Sequence, residues 1–122
     1  MEMTERLEGM LLELNSVYSI LQTNQRDYYE TSEKAIKAKH KLETERLIGL
    51  ANGTISGKNS DERDASAREV IGELFVAHGK SQDDERGAKF LLDSSAMSVE
   101  CTRARLRVLE LLINSNRDER SK

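Results

Sequence analysis

The chain of 122 residues contains no proline, no tryptophan and a single cysteine, and aromatic residues make up only 4% of it. Strand-rich folds draw on aromatic and β-branched residues, so this composition nearly excludes an all-β protein. One cysteine cannot form an internal disulfide, which excludes a cross-linked secreted scaffold and favours a reducing compartment. We therefore expect one all-α domain, located in a cytoplasm.

Long apolar runs are also missing, since no stretch approaches the roughly 18 residues that a membrane span needs. Acidic residues, Glu2 and Glu5, stand where a signal peptide would carry basic ones. The net charge is -3, and residues 1–33 hold seven acidic and two basic side chains. The chain thus has no overall positive field to attract nucleic acid, and no membrane contact is expected.

One long helix is predicted over about residues 4–51. Apolar or aromatic side chains recur every seven residues, at Leu7, Leu14, Leu21, Tyr28, Ala35 and Leu42. A second set lies three residues after each of these, at Met10, Val17, Asn24, Thr31, Ala38 and Glu45. A repeat of seven is typical of a coiled coil. The polar members Asn24 and Thr31 indicate either a buried amide that fixes the register or a solvated imperfection.

Glycines divide the rest of the chain. Gly53 can adopt the left-handed conformation that ends a helix, and Asn59 or Ser60 can cap the next one. A loop is therefore expected over about 52–59, helices over about 60–78 and 82–116, and a frayed tail over 117–122. Around Gly79 the pattern allows a turn between two helices or, as we favour, one bent helix. The matching lengths predict a long antiparallel helical hairpin whose return helix is bent or broken near Gly79.

The last helix is apolar on two sides. At 100° per residue, one side contains Ala88, Leu91, Leu92, Ala96, Val99, Leu106, Leu109 and Ile113. The far side contains Phe90, Met97, Cys101, Ala104, Val108 and Leu111. One hairpin partner covers only one side, so the far side is expected to pack on a second copy, as a dimer, or on the 60–78 helix folded back. Cys101 is accordingly expected to be a packed thiol.

No catalytic residue, metal ligand or cofactor site is predicted. The turn from Gly53 to Ser60 resembles a phosphate-binding loop, but three residues separate its glycines where the motif has four, and Asn59 replaces the required hydroxyl. His40 is expected to be solvated and His78 packed, because neither belongs to a Glu-x-x-His pair. A small helical nucleotide-hydrolysing enzyme is the weaker alternative, since no Glu-x-x-Asp follows Glu30 and Glu33.

Two groups of basic residues could contact DNA phosphates. They are Lys34, Lys37 and Lys41 on the first helix and Arg103, Arg105 and Arg107 on the last. Neither is interleaved with aromatic residues, so solvated faces are favoured and nucleic-acid binding is a weak expectation. The acidic first third supports a different alternative, an inhibitor of a host defence nuclease.

The stretch from Leu47 to Ile113, just over half of the chain, contains Gly57-Lys58-Asn59, then Glu62-Arg63-x-Ala65, and later a leucine-rich segment from Arg103 to Leu112. In these motifs it resembles a group of small helical bacteriophage and prophage proteins. It departs from that group at Gly79-Lys80-Ser81, where an uninterrupted helix is expected. The resemblance implies a non-enzymatic accessory of phage DNA replication or recombination, in the cytoplasm of a bacterial host, that binds a protein still to be identified.

Overall fold

The computed structural model describes the backbone of residues 2–121 and the side chains of residues 2–117. It contains three helices, α1 (Glu2–Asn52), α2 (Ser60–Val70) and α3 (Gly72–Ser121), and no strand within residues 2–121. Helix α1 packs against α3, which confirms the all-α helical hairpin. Helix α3 continues through Ser121, so the frayed tail predicted from residue 117 is wrong for residues 117–121. Lys122, the last residue of that predicted tail, lies outside the described residues.

The chain divides into two compact units, of which the first contains the residues up to Arg26 and from Lys89 onward. Within this unit α1 and α3 run antiparallel. Glu13 accepts a hydrogen bond from Arg105, whereas Asn24, later on α1, donates to the carbonyl of Leu91, earlier on α3. The predicted heptad positions of α1 in this unit are all half-buried: Leu7, Met10, Leu14, Val17, Leu21 and Asn24.

The matching face of α3 in the first unit keeps the same spacing of four and three residues. It consists of Leu92, Ser95, Val99, Thr102, Leu106, Leu109 and Ile113, all of them buried or half-buried. We call these residues the α3 seam. Leu91 and Ala96, which the sequence analysis placed on the same side, are exposed instead. An angle of 100° per residue drifts away from a seven-residue repeat by about 20° per heptad, so it assigns residues at the edge of the seam incorrectly.

Asn24 is one of the two polar heptad positions that the sequence left open, and in the structure it joins the two helices. Its half-buried side chain donates to the Leu91 carbonyl at 3.1 Å, in a contact that is open to solvent. A hydrogen bond of this kind contributes about 0.5–1.5 kcal/mol. It therefore favours the observed alignment of α1 and α3.

The second unit comprises Asp27–Ala88. Its most enclosed positions are contributed by all three helices and by the turn between the first two: Ala35, Leu42, Gly49, Ile55, Ala67 and Ala88. An ion pair between Arg46 and Asp64 joins α1 to α2. Most of these buried side chains are small, so helix backbones approach one another closely in this unit.

The turn between α1 and α2 is built as the sequence predicts. Gly53 has a φ of +81°, the left-handed conformation that only glycine adopts readily. Asn59 caps α2, since its side-chain oxygen accepts the Glu62 N–H at 2.9 Å. The Glu62 carboxylate accepts a hydrogen bond from the N–H of Lys58 at 2.7 Å. Both polar ends of this capping pair are thus satisfied.

The break in the return helix lies at Ile71, eight residues before the predicted position. Ile71 has φ -124° and ψ 36°; its N–H bonds the Ala67 carbonyl, and its own carbonyl accepts from Leu74. Across this break the Arg68 guanidinium lies 4.7 Å from the centre of the Phe75 ring. The chain is helical through Gly79, Lys80 and Ser81, which agrees with the favoured continuous helix at these residues; the alternative of a turn there, and a break near Gly79, are wrong.

The cost of a glycine inside a helix, about 1 kcal/mol, explains why the helix continues at Gly79. The half-buried positions Leu74, His78, Ser81 and Glu85 keep the same spacing of four and three residues through this segment. Packing along that face outweighs one unfavourable residue. His78 is accordingly half-buried, and His40 exposed, as expected from the sequence.

Replacing Gly79 by alanine should stabilise the protein by about 0.5–1 kcal/mol, because alanine loses less backbone entropy in a helix. A Cβ at this position would meet nothing within 4 Å. Urea unfolding followed by circular dichroism measures the change. Gly53→Ala is the matched control of opposite sign, since its φ of +81° strains any side chain. A loss of stability in Gly79→Ala would show that this segment is not a regular helix.

Candidate protein-binding surface

A second apolar face of α3 is exposed, and its residues are those that the sequence analysis singled out. They are Phe90, Met97, Cys101, Ala104, Val108 and Leu111, which we call the α3 stripe. The exposed fractions of the large members are 70% for Phe90, 68% for Met97, 57% for Val108 and 63% for Leu111. Scattered exposed apolar side chains are normal on protein surfaces, but a continuous row marks an interaction site.

The spacing of the α3 stripe is the same as that of the α3 seam. Its members follow one another at seven, four, three, four and three residues, with Ser94 filling the position between Phe90 and Met97. Each stripe position from Met97 onward lies two residues beyond a seam position, which is about 160° around the helix. Helix α3 therefore carries two heptad faces on opposite sides, one covered by α1 and one open.

Charged residues lie along one edge of the stripe, and leucines flank the other. Asp93, Glu100 and Arg107 occupy the first edge, while Leu91 and Leu112 lie on the second. Leu91 is 54% exposed and Leu112 50% exposed. Beside Leu112 the surface of the first unit is concave, with a groove of about 540 Å³. Gly9 of α1 forms part of this groove together with Ala104 and Val108.

Cys101 is exposed in the single chain, so α1 does not supply the packing expected for its thiol. The sequence does not show which of the two apolar faces α1 covers, and the structure places Cys101 on the open one. The thiol lies in the middle of the open stripe, flanked at heptad spacing by Met97 and Ala104.

The structure separates the two basic groups into different units. Lys34, Lys37 and Lys41 are exposed on the second unit. On the first unit, Arg105 pairs with Glu13 and Arg103 pairs with Glu100 at 3.7 Å. Arg107 is exposed. Two of the three arginines thus have carboxylate partners within the chain, which weakens this group as a site for phosphates.

Among the residues whose side chains the structure describes, the pKa of one titratable group is clearly shifted. Tyr29 of α1 donates a hydrogen bond to the Glu33 carboxylate at 3.0 Å, and this bond, together with the negative charge of Glu33, raises the pKa of the tyrosine. The ring is 64% exposed, so the pair lies on an open helix surface and not in a cleft. The raised pKa keeps the Tyr29 hydroxyl protonated to higher pH.

The phosphate-loop-like segment is occupied by its own side chains. The Lys58 N–H, which would face a phosphate, donates to Glu62, and the Ser56 N–H donates to Ser66 at 3.1 Å. Within the described residues, no group of three or more histidine, cysteine, aspartate or glutamate side chains is placed to hold a metal ion. Over the same part of the chain, no helix has a segment both apolar enough and long enough to cross a membrane.

Comparison with known protein families, curated proteins and solved structures gives no match to this chain.

Proposed function

We propose that this protein is a non-enzymatic accessory of bacteriophage or prophage DNA replication or recombination, which self-associates as a dimer and acts by binding protein in the cytoplasm of a bacterial host. The observation that carries the binding role is the open heptad face of α3. A row of exposed apolar side chains loses its unfavourable contact with water when another apolar surface covers it, and heptad spacing suits a second helix.

The phage assignment rests on the helix, Gly-Lys-Asn turn and helix pattern. Affinity capture from phage-infected and uninfected host lysates tests it, with the intact protein as bait. We expect a replication or recombination protein among the captured species. Capture of a defence nuclease in its place would favour the inhibitor alternative. Hydrolysis of nucleotides by the purified protein in the presence of magnesium would contradict the non-enzymatic assignment.

Direct contact with DNA is tested separately, by retention on immobilised single- and double-stranded DNA across a salt series. Retention through Lys34, Lys37 and Lys41 should fall steeply as salt rises, because each phosphate contact releases counterions. Replacing the three lysines by glutamine should abolish it. Retention that is unaffected by these substitutions would place any DNA contact elsewhere on the protein.

The substitution Val108→Glu should convert the dimer into a folded monomer. Val108 is exposed in the single chain, so the glutamate is solvated there, whereas in the dimer it would be buried without a partner. We expect the dissociation constant to rise by at least about a thousandfold. Light scattering over a dilution series measures the mass, and circular dichroism shows that the helices remain.

Val76→Glu is the matched control for this substitution. Val76 is a second exposed valine of α3, at 73%, and lies outside the stripe. This variant should remain a dimer. A wild-type protein that is monomeric at every concentration, or a Val108→Glu protein that remains dimeric, would contradict self-association through the stripe.

A further inference from the structure

Side-chain size and edge charge vary along the α3 stripe. When a second stripe is laid against it in the opposite direction, these variations are complementary. We infer that the second copy lies antiparallel on the stripe, with the twofold axis passing between Thr102 and Arg103. This inference rests on the proposed self-association and adds the orientation and register. It commits to one occupant, the α3 stripe of another copy of this chain.

In this register the outer layers pair a large side chain with a small one, and the inner layers pair side chains of similar size. Met97 faces the partner's Val108, Ser94 faces the partner's Leu111, and Cys101 faces the partner's Ala104. Phe90 faces the partner's Ser115 at either end. Helix surfaces reach the packing density of a protein interior when large and small side chains alternate across the interface.

A parallel, in-register pair would place each residue against its own copy. Two Phe90 rings would meet in one layer, two Ser94 hydroxyls in the next and two Ala104 methyl groups further on. Layers of two large side chains would be overpacked, and layers of two small ones would leave cavities. Both effects destabilise the interface. The size pattern of the stripe therefore favours the antiparallel arrangement.

The edges of the stripe support the same register. In an antiparallel pair each edge meets the same edge of the partner, so Glu100 faces the partner's Arg107, twice per dimer. On the other edge Leu91 faces the partner's Leu112, also twice, which covers both exposed leucines. In the single chain Glu100 is in contact with Arg103 at 3.7 Å, and both side chains are largely exposed. This intrachain pair leaves a carboxylate oxygen available to the partner's arginine.

A parallel pair would use the same charges less well. Each charged edge would then meet the leucine-flanked edge, placing Glu100 near the partner's Arg105 and Arg107 near the partner's Leu112. Arg105 already pairs with Glu13 of α1 in its own chain. A charge facing a leucine is also unfavourable in a partly buried contact. Edge residues of this kind set the orientation of helical pairs more than their strength.

Disulfide trapping tests the register. In a Cys101→Ser background, a chain carrying both Met97→Cys and Val108→Cys should form disulfide-linked dimers on mild oxidation, because these positions face each other across the antiparallel interface. They are 11 positions apart in one helix, about 16 Å, too far for a bond within the chain. Chains with only one of the two cysteines should not cross-link. All of these positions are exposed in the single chain, so the substitutions should not affect its fold.

The outcomes distinguish the register from the association itself. Cross-linking of either single-cysteine chain with itself would indicate a parallel pair and overturn the register, while self-association would stand. A dimer by light scattering that fails to cross-link in the double-cysteine chain would overturn the register in the same way. A monomer by light scattering in the Cys101→Ser background would contradict self-association and the register together.

A charge exchange gives a second test that does not depend on cysteine chemistry. Glu100→Arg should weaken the dimer by about tenfold or more, since it places an arginine against the partner's Arg107 at each of the two equivalent sites of the interface. Adding Arg107→Glu to the same chain should restore the wild-type dissociation constant. In a parallel pair Glu100 faces the partner's Arg105, so Arg107→Glu would give no rescue and the antiparallel register would be rejected.

Discussion

Replacing Ile55 by alanine should lower the free energy of unfolding by about 2–4 kcal/mol, the largest loss expected from a single truncation in this chain. Ile55 is 1% exposed and is the largest fully buried apolar side chain among the described residues. It lies in the turn between α1 and α2, with its N–H bonded to the Gly49 carbonyl at 3.0 Å. Truncation removes its apolar contacts and leaves a cavity beside α1.

The neighbouring contacts explain why this cavity should not close. Ile55 packs directly on the backbone of Gly49, where an added Cβ would lie 2.6 Å from the Ile55 Cδ1 atom. A helix backbone cannot move inward to fill the space without losing its hydrogen bonds. The cost is therefore that of transfer to water plus that of the unfilled volume.

Ile48→Ala is the matched control. Ile48 lies in the interior of α1 and is 49% exposed, so truncation removes less buried area, and alanine has the higher helix propensity. We expect a loss below about 1 kcal/mol. Urea unfolding of both variants measures the difference. Equal losses at the two positions would mean that the turn does not pack on α1 as the structure shows.

The contrast between Ile55 and α1 shows how far the sequence predicts this fold. Every α1 heptad position expected to face a partner is buried or half-buried, because leucine and valine at regular spacing identify the covered face without further information. Ile55 carries no periodic signal. An isolated isoleucine between Thr54 and Ser56 could be recognised only from the close approach that glycine allows at position 49.

The α3 seam was harder to identify for a related reason. Two of its buried members, Ser95 and Thr102, are polar, and Thr102 is only 2% exposed. Small polar side chains can bond to the helix backbone, as Ser95 does to the Leu92 carbonyl at 2.9 Å, and then pack like apolar ones. The signal was in the spacing: Leu92, Val99 and Leu106 recur every seven residues and mark the seam without the polar members.

The candidate binding surface was predictable in composition but not in exposure. The sequence identifies two apolar faces on α3, yet both have heptad spacing and similar hydrophobic content. Which of them α1 covers depends on contacts between distant residues, such as Asn24 with Leu91 and Glu13 with Arg105. Pairings of this kind leave no mark in the local sequence pattern.

The second large effect is expected at Gly57, where alanine should cost about 1–3 kcal/mol. The φ of this residue is not positive, so the reason is space and not backbone conformation. A Cβ there would lie 2.6 Å from the backbone nitrogen of Arg63, and 2.7 Å and 2.8 Å from two atoms of Glu62. These atoms belong to the first turn of α2, and relieving the overlap would disturb the Asn59 cap and the bond from Lys58 to Glu62.

Gly87→Ala is the control for Gly57→Ala, because a Cβ at position 87 meets nothing within 4 Å and should stabilise the helix slightly. Thermal unfolding of the two variants should therefore shift in opposite directions. The result also bears on the Gly57-Lys58-Asn59 motif. If its glycine is needed for the close approach of the turn to α2, Gly57→Ala lowers stability without any ligand present. If Gly57→Ala is as stable as the wild type, close packing of the turn on α2 does not explain the glycine in this motif. A ligand that contacts the turn would then be the alternative explanation.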